Sequence, residues 1–254
     1  MLKHRLIAVI LVRDKQVIQT VRFKHTNVIH SHPIFAIESF NRWAIDEIIV
    51  LNVSKNEATQ NGFINIIHDI SEKCFVPLSV GGWINKVDYA RELLASGADK
   101  IVVNTHAFNN PKFISDLAKR FGTQCIIVSI DSKIGVHEKE FVAIDRGSRI
   151  TNTETLDWAK KAEFLGAGEI FINSVDFDGN RKGYNLKLIK SIVGTLSIPV
   201  IAMGGVLKWE HLAEGIVQAK AAAVAAANIF HYTEHSTKKA KKYLLESGLK
   251  FRKI

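Results

Sequence analysis

Asp131 closes an apolar run in IVSIDSK, and Asp176 closes another in NSVDFDG. A carboxylate at the end of a buried run stands where the chain leaves a core. Two such groups around one substrate can divide the work of general acid and general base. Each aspartate also has a plainer reading, as a helix cap or a loop ion pair. Ser129 lies near Asp131 but has no histidine pattern for a nucleophilic triad. His30-Ser31-His32 has chelating spacing without a third ligand at a known interval, so it reads as a polar loop. No metal and no cofactor are expected.

A second chemistry is written in glycine. Gly81-Gly82 follows the apolar run of Leu78 and Val80 and precedes Trp83, while Gly204-Gly205 follows IPVIAM. Paired glycines past a strand let backbone amides approach an anion, because no Cβ intervenes. One anion site would combine Gly82 with Asn104 and Thr105. Its counterpart would combine Asp178, Gly179, Gly204 and Gly205 with Ala227 and Asn228 before the last helix. Free amides and the helix dipole would attract a phosphate at each. The alternative is tight turns that need glycine for geometry alone. Trp83 is the bulkiest residue available and would fill the first cradle, leaving the second competent.

These residues need elements to hold them. Short apolar runs occur at 5–12, 47–53, 77–80, 100–104, 124–131, 169–175, 199–203 and 222–227. Amphipathic stretches at 86–96, 111–121, 155–165 and 186–196 lie between them. Continuous apolar strands alternating with helices indicate a parallel sheet covered by helices. Eight such units in 254 residues suit a (β/α)8 TIM barrel, one domain over 1–254. A doubly wound open sheet is the second choice, but its GxGxxG is missing from the first turn. Val76-Pro77 is echoed by Ile198-Pro199, and Gly82 by Gly204, so half-barrels at about 1–122 and 123–254 are expected. Candidate site residues then fall at the C-terminal rim of the strands. A hairpin is expected over 135–151, as a lid or a ledge.

Bulk properties narrow the class. Hydrophobic residues make up 47% of the chain, enough for a sizeable core. No apolar run approaches the roughly 20 residues of a membrane span. MLKHRLIAVILVRDK reads as a first strand rather than a signal peptide. Cys74 and Cys125 sit in apolar runs and read as reduced thiols, which favours a cytoplasmic location. The net charge is +9. It is densest in the last helix at Lys238, Lys239, Lys241 and Lys242, which reads as a solvated face. No aromatic-basic motif for nucleic acid appears.

The segments KRFGTQCIIVSID, WAKKAEFLGAGEIFINSVDFDG, LSIPVIAMGG and ANIFHY carry a resemblance over essentially the whole chain. It resembles HisF, the cyclase subunit of imidazole glycerol phosphate synthase. That resemblance implies a barrel that takes ammonia from a HisH-like glutaminase docked at its base and uses it on a substrate with two phosphates. It implies two catalytic aspartates, ending strands one and five. The second is Asp131; the first is replaced by Leu11. Further departures are Gln19 for a lysine, Asn52 for an acid, Trp83 for a glycine and Asn228 for a serine. At the base, the family's ring of charges around the ammonia inlet is matched by Arg5, Glu47, Lys100 and Glu169. Asp99 matches the docking face.

Leucine cannot move a proton, so the usual acid–base pair is expected to fail while the inlet is kept. TVRFKHTNVIHSHPIFAI and FNRWAIDEIIVL look more like the AglZ-type acetamidino-modification proteins than like histidine-pathway HisF. By that resemblance the chain would pass ammonia to a separate sugar amidotransferase. The other readings are a cyclase with a reworked site and a non-catalytic scaffold for the glutaminase. A structural role for the charged ring alone also stays open.

Overall fold

Runs of Ile, Val and Ala become parallel strands in this computed structural model, which describes residues 3–21 and 23–253. In chain order the elements are β1 (Arg5–Arg13), β2 (Gln16–Val21), β3 (Lys24–His30), α1 (Ile34–Arg42), β4 (Glu47–Asn52), α2 (Gln60–Ser71), β5 (Leu78–Gly81), α3 (Val87–Ala95) and β6 (Lys100–Val103). Then come α4 (Thr105–Asn109), α5 (Lys112–Phe121), β7 (Ile126–Ile134), β8 (Glu140–Ile144), β9 (Arg149–Glu154), α6 (Thr155–Phe164) and β10 (Glu169–Ser174). The chain ends with α7 (Leu186–Val193), β11 (Val200–Met203), α8 (Trp209–Val217), β12 (Ala223–Ala226) and α9 (Ser236–Glu246). Strands β1, β4, β5, β6, β7, β10, β11 and β12 follow one another around the sheet, and β10 pairs back to β7. The sheet is a closed eight-stranded parallel barrel with a helix after each strand, the (β/α)8 class expected from the sequence.

The chain divides into two compact units. One holds the residues up to Thr20, His25–Val102 and those from Ala225 on; the other holds Val21–Lys24 and Val103–Val224. In the first, Leu6 to Ile10 on β1 and Ile48 to Val50 on β4 are almost wholly shielded from water. Helix α2 closes over them with Phe63, Ile66, Ile67 and Ile70, at the three- and four-residue spacing of one helical face. Each such side chain stabilises the fold by about 1.5–3 kcal/mol. In the second unit, Phe113, Ile114 and Leu117 on α5 and Ile126 to Val128 on β7 play the same part.

Strand entries in the first unit are tied by aspartates. The Asp46 carboxylate accepts the Leu6 N–H at 2.9 Å, and that of Asp99 accepts the Leu78 N–H at 2.8 Å. In each case the aspartate's own amide returns a bond to the same residue's carbonyl. Lys241 of α9, with no exposed side-chain surface, reaches Asp46 at 2.5 Å, and Arg252 approaches the same carboxylate at 3.4 Å. A buried charge left unpaired costs about 3–5 kcal/mol, so this cluster holds α9 and the C-terminal segment to the strand bases.

Two hairpins decorate the barrel. The segment read as a loop after the first strand, with His30 in it, instead forms two strands, β2 and β3, that pair with each other. Strand β2 pairs with β1 at Leu11↔Ile18, Val12↔Val17 and Arg13↔Gln16. The two-residue turn between them is Asp14-Lys15, both in the left-handed region at φ 49° and 72°. Such turns normally announce themselves with Asn-Gly or Asp-Gly, and lysine in that place hides the signal. The second hairpin, expected over 135–151, is β8 with β9. Strand β8 pairs antiparallel with the outer part of β7, from Asp131↔Ala143 to Ile134↔Glu140. Glu140 fastens it by accepting the Ser132 hydroxyl at 2.8 Å and the Asn185 amide. These bonds, with Val142, Ala143 and Ile144 buried, make it a fixed ledge. Among the described residues no helix is long and apolar enough to cross a membrane.

Candidate functional site

Asp131 lies on β7 where the strand passes from the barrel into the hairpin extension. Its Cα partners are Asn173 on β10 and Ala143 on β8. The residue is 7% exposed, and Asn104 donates its side-chain amide to Oδ2 at 2.8 Å. Burial pushes the carboxyl up to about 7 from its usual 3.8, against the pull of the Asn104 bond and with help from the negative charge of Asp178. Near neutrality it can therefore both give and take a proton.

That shift is also a stability statement. The folded-state value lies above the unfolded one, so the native protein binds the extra proton between about pH 4 and 7. Stability is fully present below that window and falls as pH rises through it, by on the order of 4 kcal/mol. Asp131→Asn keeps the shape and can still accept the Asn104 bond. It is expected to be more stable than wild type at pH 8, with the gap closing towards pH 4. Urea denaturation of both proteins across that range checks this; a constant gap would mean that Asp131 is not the titrating group.

The other polar groups of this unit surround Asp131 unevenly. Asp178 is buried and accepts the Phe23 N–H at 3.2 Å. Asp176 accepts the Ile134 N–H at 2.8 Å, a loop tie at the outer end of β7. Thr105 opens α4 and accepts the Asp145 N–H at 3.0 Å. Asn173 escaped the sequence reading. Its Oδ1 is buried without a hydrogen-bond partner, as is the Ser174 hydroxyl. Its signal in the sequence is that Asn173-Ser174 closes the apolar run Ile170-Phe171-Ile172.

Each glycine of the second cradle has a close neighbour. A Cβ at Gly205 would come within 2.2 Å of the Gly183 carbonyl, and one at Gly179 within 2.8 Å of Val21. At Gly204 it would lie 3.1 Å from Asn173 Oδ1. Backbone approach thus accounts for these glycines without a ligand. In the first unit, Ala227 leads into a short 3-10 turn at Asn228–Phe230. Asn228 donates its amide to the Thr20 carbonyl at 3.0 Å.

Gly81 and Gly82 of the first expected cradle lie in that unit, while Asn104 and Thr105 lie in the other. A Cβ at Gly82 would strike the Asn52 carbonyl at 2.3 Å. Trp83 sits in the left-handed region at φ 58°, a place that disfavours so large a residue. Its indole N–H donates to the Ser54 carbonyl at 2.9 Å, and Gln60 donates to its own carbonyl at 2.7 Å. The tryptophan therefore binds two neighbouring strand-to-helix loops together. Leu11 presents a part-buried alkyl chain at the end of β1, level with Leu51 on β4.

At the opposite ends of the strands, Arg5 Nη1 bridges both oxygens of Glu47 at 2.9 and 3.0 Å. Lys100 stands 4.0 Å from the same carboxylate. All three are mostly buried, with side-chain exposures of 22%, 9% and 19%. Two cations thus approach the Glu47 carboxylate, Arg5 the closer of them. Glu169, in the other unit, is buried at the base of β10. Asp99 is exposed and already engaged with Leu78. Among the described residues no three His, Cys, Asp or Glu side chains gather as a metal site.

A barrel with acids at the strand ends and charges at the strand bases defines a class, and comparison places the chain in it. The model of the family described as "Histidine biosynthesis protein" matches residues 5–236, and this chain belongs to that family, as a HisF-type barrel. It is 41% identical over 253 residues to the "Putative imidazole glycerol phosphate synthase subunit hisF2" of Vibrio vulnificus (strain YJ016). The match spans 99% of this chain and 92% of that protein.

Proposed function

We propose that this chain is an ammonia-conducting subunit of a glutamine-dependent amidotransferase complex, with little cyclase activity of its own. The observation that carries this reading is the contrast between the two ends of the strands. At one end Asp131 is poised near neutrality while the family's partner carboxylate is Leu11. At the other, Arg5, Glu47 and Lys100 keep a costly, mostly buried charge cluster. Retaining the inlet without the acid–base pair makes sense if ammonia still enters there for use elsewhere.

A HisH-like glutaminase is the partner that would supply the ammonia, docked at the face that holds Asp99. The likeness of the 20–37 and 40–51 segments to acetamidino-modification proteins favours a sugar amidotransferase as the consumer, and an N-acetyl sugar as its substrate. A true cyclase with a reworked site is the second reading, favoured by the name of the Vibrio relative. Expression in a strain lacking HisF separates them. The proposal expects no growth without histidine, and restored growth would overturn it in favour of the cyclase.

A further inference from the structure

Charge is not spread evenly over this chain. Residues 236–254 hold seven basic side chains against the single acid Glu246, which is +6 of the total +9. One of the seven, Lys241, is buried on Asp46. The other six, Lys238, Lys239, Lys242, Lys250, Arg252 and Lys253, are all exposed. Helices α3 and α6 interleave acids with their bases, as with Arg91–Asp88 at 3.1 Å on α3 and Lys160–Asp157 at 3.7 Å on α6. On α9 the sole such pair is Lys242–Glu246 at 3.7 Å.

The surface is also held rigid. The opposite face of α9 is locked by Ala240, Lys241 and Leu244, all fully buried. The segment beyond is fixed by buried Phe251, by the Lys250 carbonyl accepting the His4 N–H at 2.8 Å, and by Arg252 donating to the Ile45 carbonyl at 2.7 Å. Lys238, Lys239 and Lys242 share one side of a helix about 16 Å long.

We propose that this lysine face of α9 docks the protein onto an anionic lipid surface. Five of the six exposed cations are lysines, compact point charges suited to smeared negative charge. Arginine is the residue for bidentate reading of single phosphates or bases. The one aromatic ring of α9, Tyr243, is part-buried, whereas single-strand binding uses several rings on which successive bases stack. The proposal does not depend on the reading of the barrel mouth.

The test is co-sedimentation of the full chain with phosphatidylglycerol–phosphatidylcholine vesicles and with pure phosphatidylcholine, at roughly 100 mM salt, where charges act over about 10 Å. Binding to the anionic vesicles alone is expected. Each lysine near such a surface contributes about 1 kcal/mol, so Lys238→Gln, Lys239→Gln and Lys242→Gln together should weaken binding about 100-fold. A control variant carries Lys119→Gln, Lys187→Gln and Lys190→Gln, the same change in net charge on exposed lysines elsewhere. It should keep its binding within a few-fold, and circular dichroism confirms that both variants fold. No binding to anionic vesicles, or equal loss in the two variants, overturns the proposal. So does tighter binding to a short DNA duplex that the α9 variant abolishes.

Discussion

Purified and supplied with ammonium and the ordinary cyclase substrate, the chain is expected to turn over about 10²- to 10⁴-fold more slowly than a HisF with both aspartates. That is the usual loss when one proton-transfer group is missing. Asp131 cannot do both jobs, because acid and base must act on different sides of the reacting atoms. Leu11→Asp should recover at least tenfold in kcat. The position already lies at the end of β1, level with Leu51, and is only partly buried, so a carboxylate there can be hydrated. Rates followed with saturating ammonium remove any dependence on a glutaminase. Wild-type turnover like that of an ordinary HisF would sink the argument. A Leu11→Asp protein that folds but stays flat would show that the loss lies elsewhere, with the stitched loops around Trp83 the first suspect.

Lys100→Ala is expected to change how much glutamine is consumed per product formed when the chain works with its glutaminase. Arg5 binds both oxygens of Glu47 through its planar fork, whereas Lys100 carries a single ammonium on a flexible stem, so lysine is the member expected to swing aside. Removing it leaves Glu47 still paired with Arg5, so the fold should survive. Coupling should suffer, with several-fold more glutamine hydrolysed per ammonia used, while free ammonium remains as good a donor as before. A purely structural ring predicts a lower Tm instead, because breaking a buried pair costs about 3–5 kcal/mol. A stable Lys100→Ala protein with unchanged coupling would end the gate idea.

The barrel strands were readable because parallel strands are buried on both faces and so appear as unbroken apolar runs. Expected and observed strand bounds differ by a residue or two at most barrel strands; the fifth, expected over 124–131, continues to Ile134 because the hairpin extends it. The hairpin of β1 and β2 was hidden, since its turn uses Asp14-Lys15 rather than glycine. The candidate acids were visible as isolated polar residues ending apolar runs, and Asn173, equally isolated, was passed over.

Composition and periodicity, then, were sufficient by themselves for the barrel and for the placing of Asp131 and Asn104 at strand ends; the charges at the strand bases were expected only from the resemblance to HisF. Those features depend on residue type and on a repeat of strand and helix, both local properties. What the charges do to one another depended on the tertiary structure. Asn104 meets Asp131 across 27 residues of chain, and Arg5 meets Glu47 across 42. The rise of the Asp131 carboxyl to about 7 comes from the water that folding removes around it. The direction of Trp83 likewise came from outside its own segment, from a carbonyl at Ser54 that draws its indole N–H. Distances between residues far apart in sequence, and the dielectric around them, exist only once the chain has closed, and those two quantities set what a carboxylate or a lysine can do.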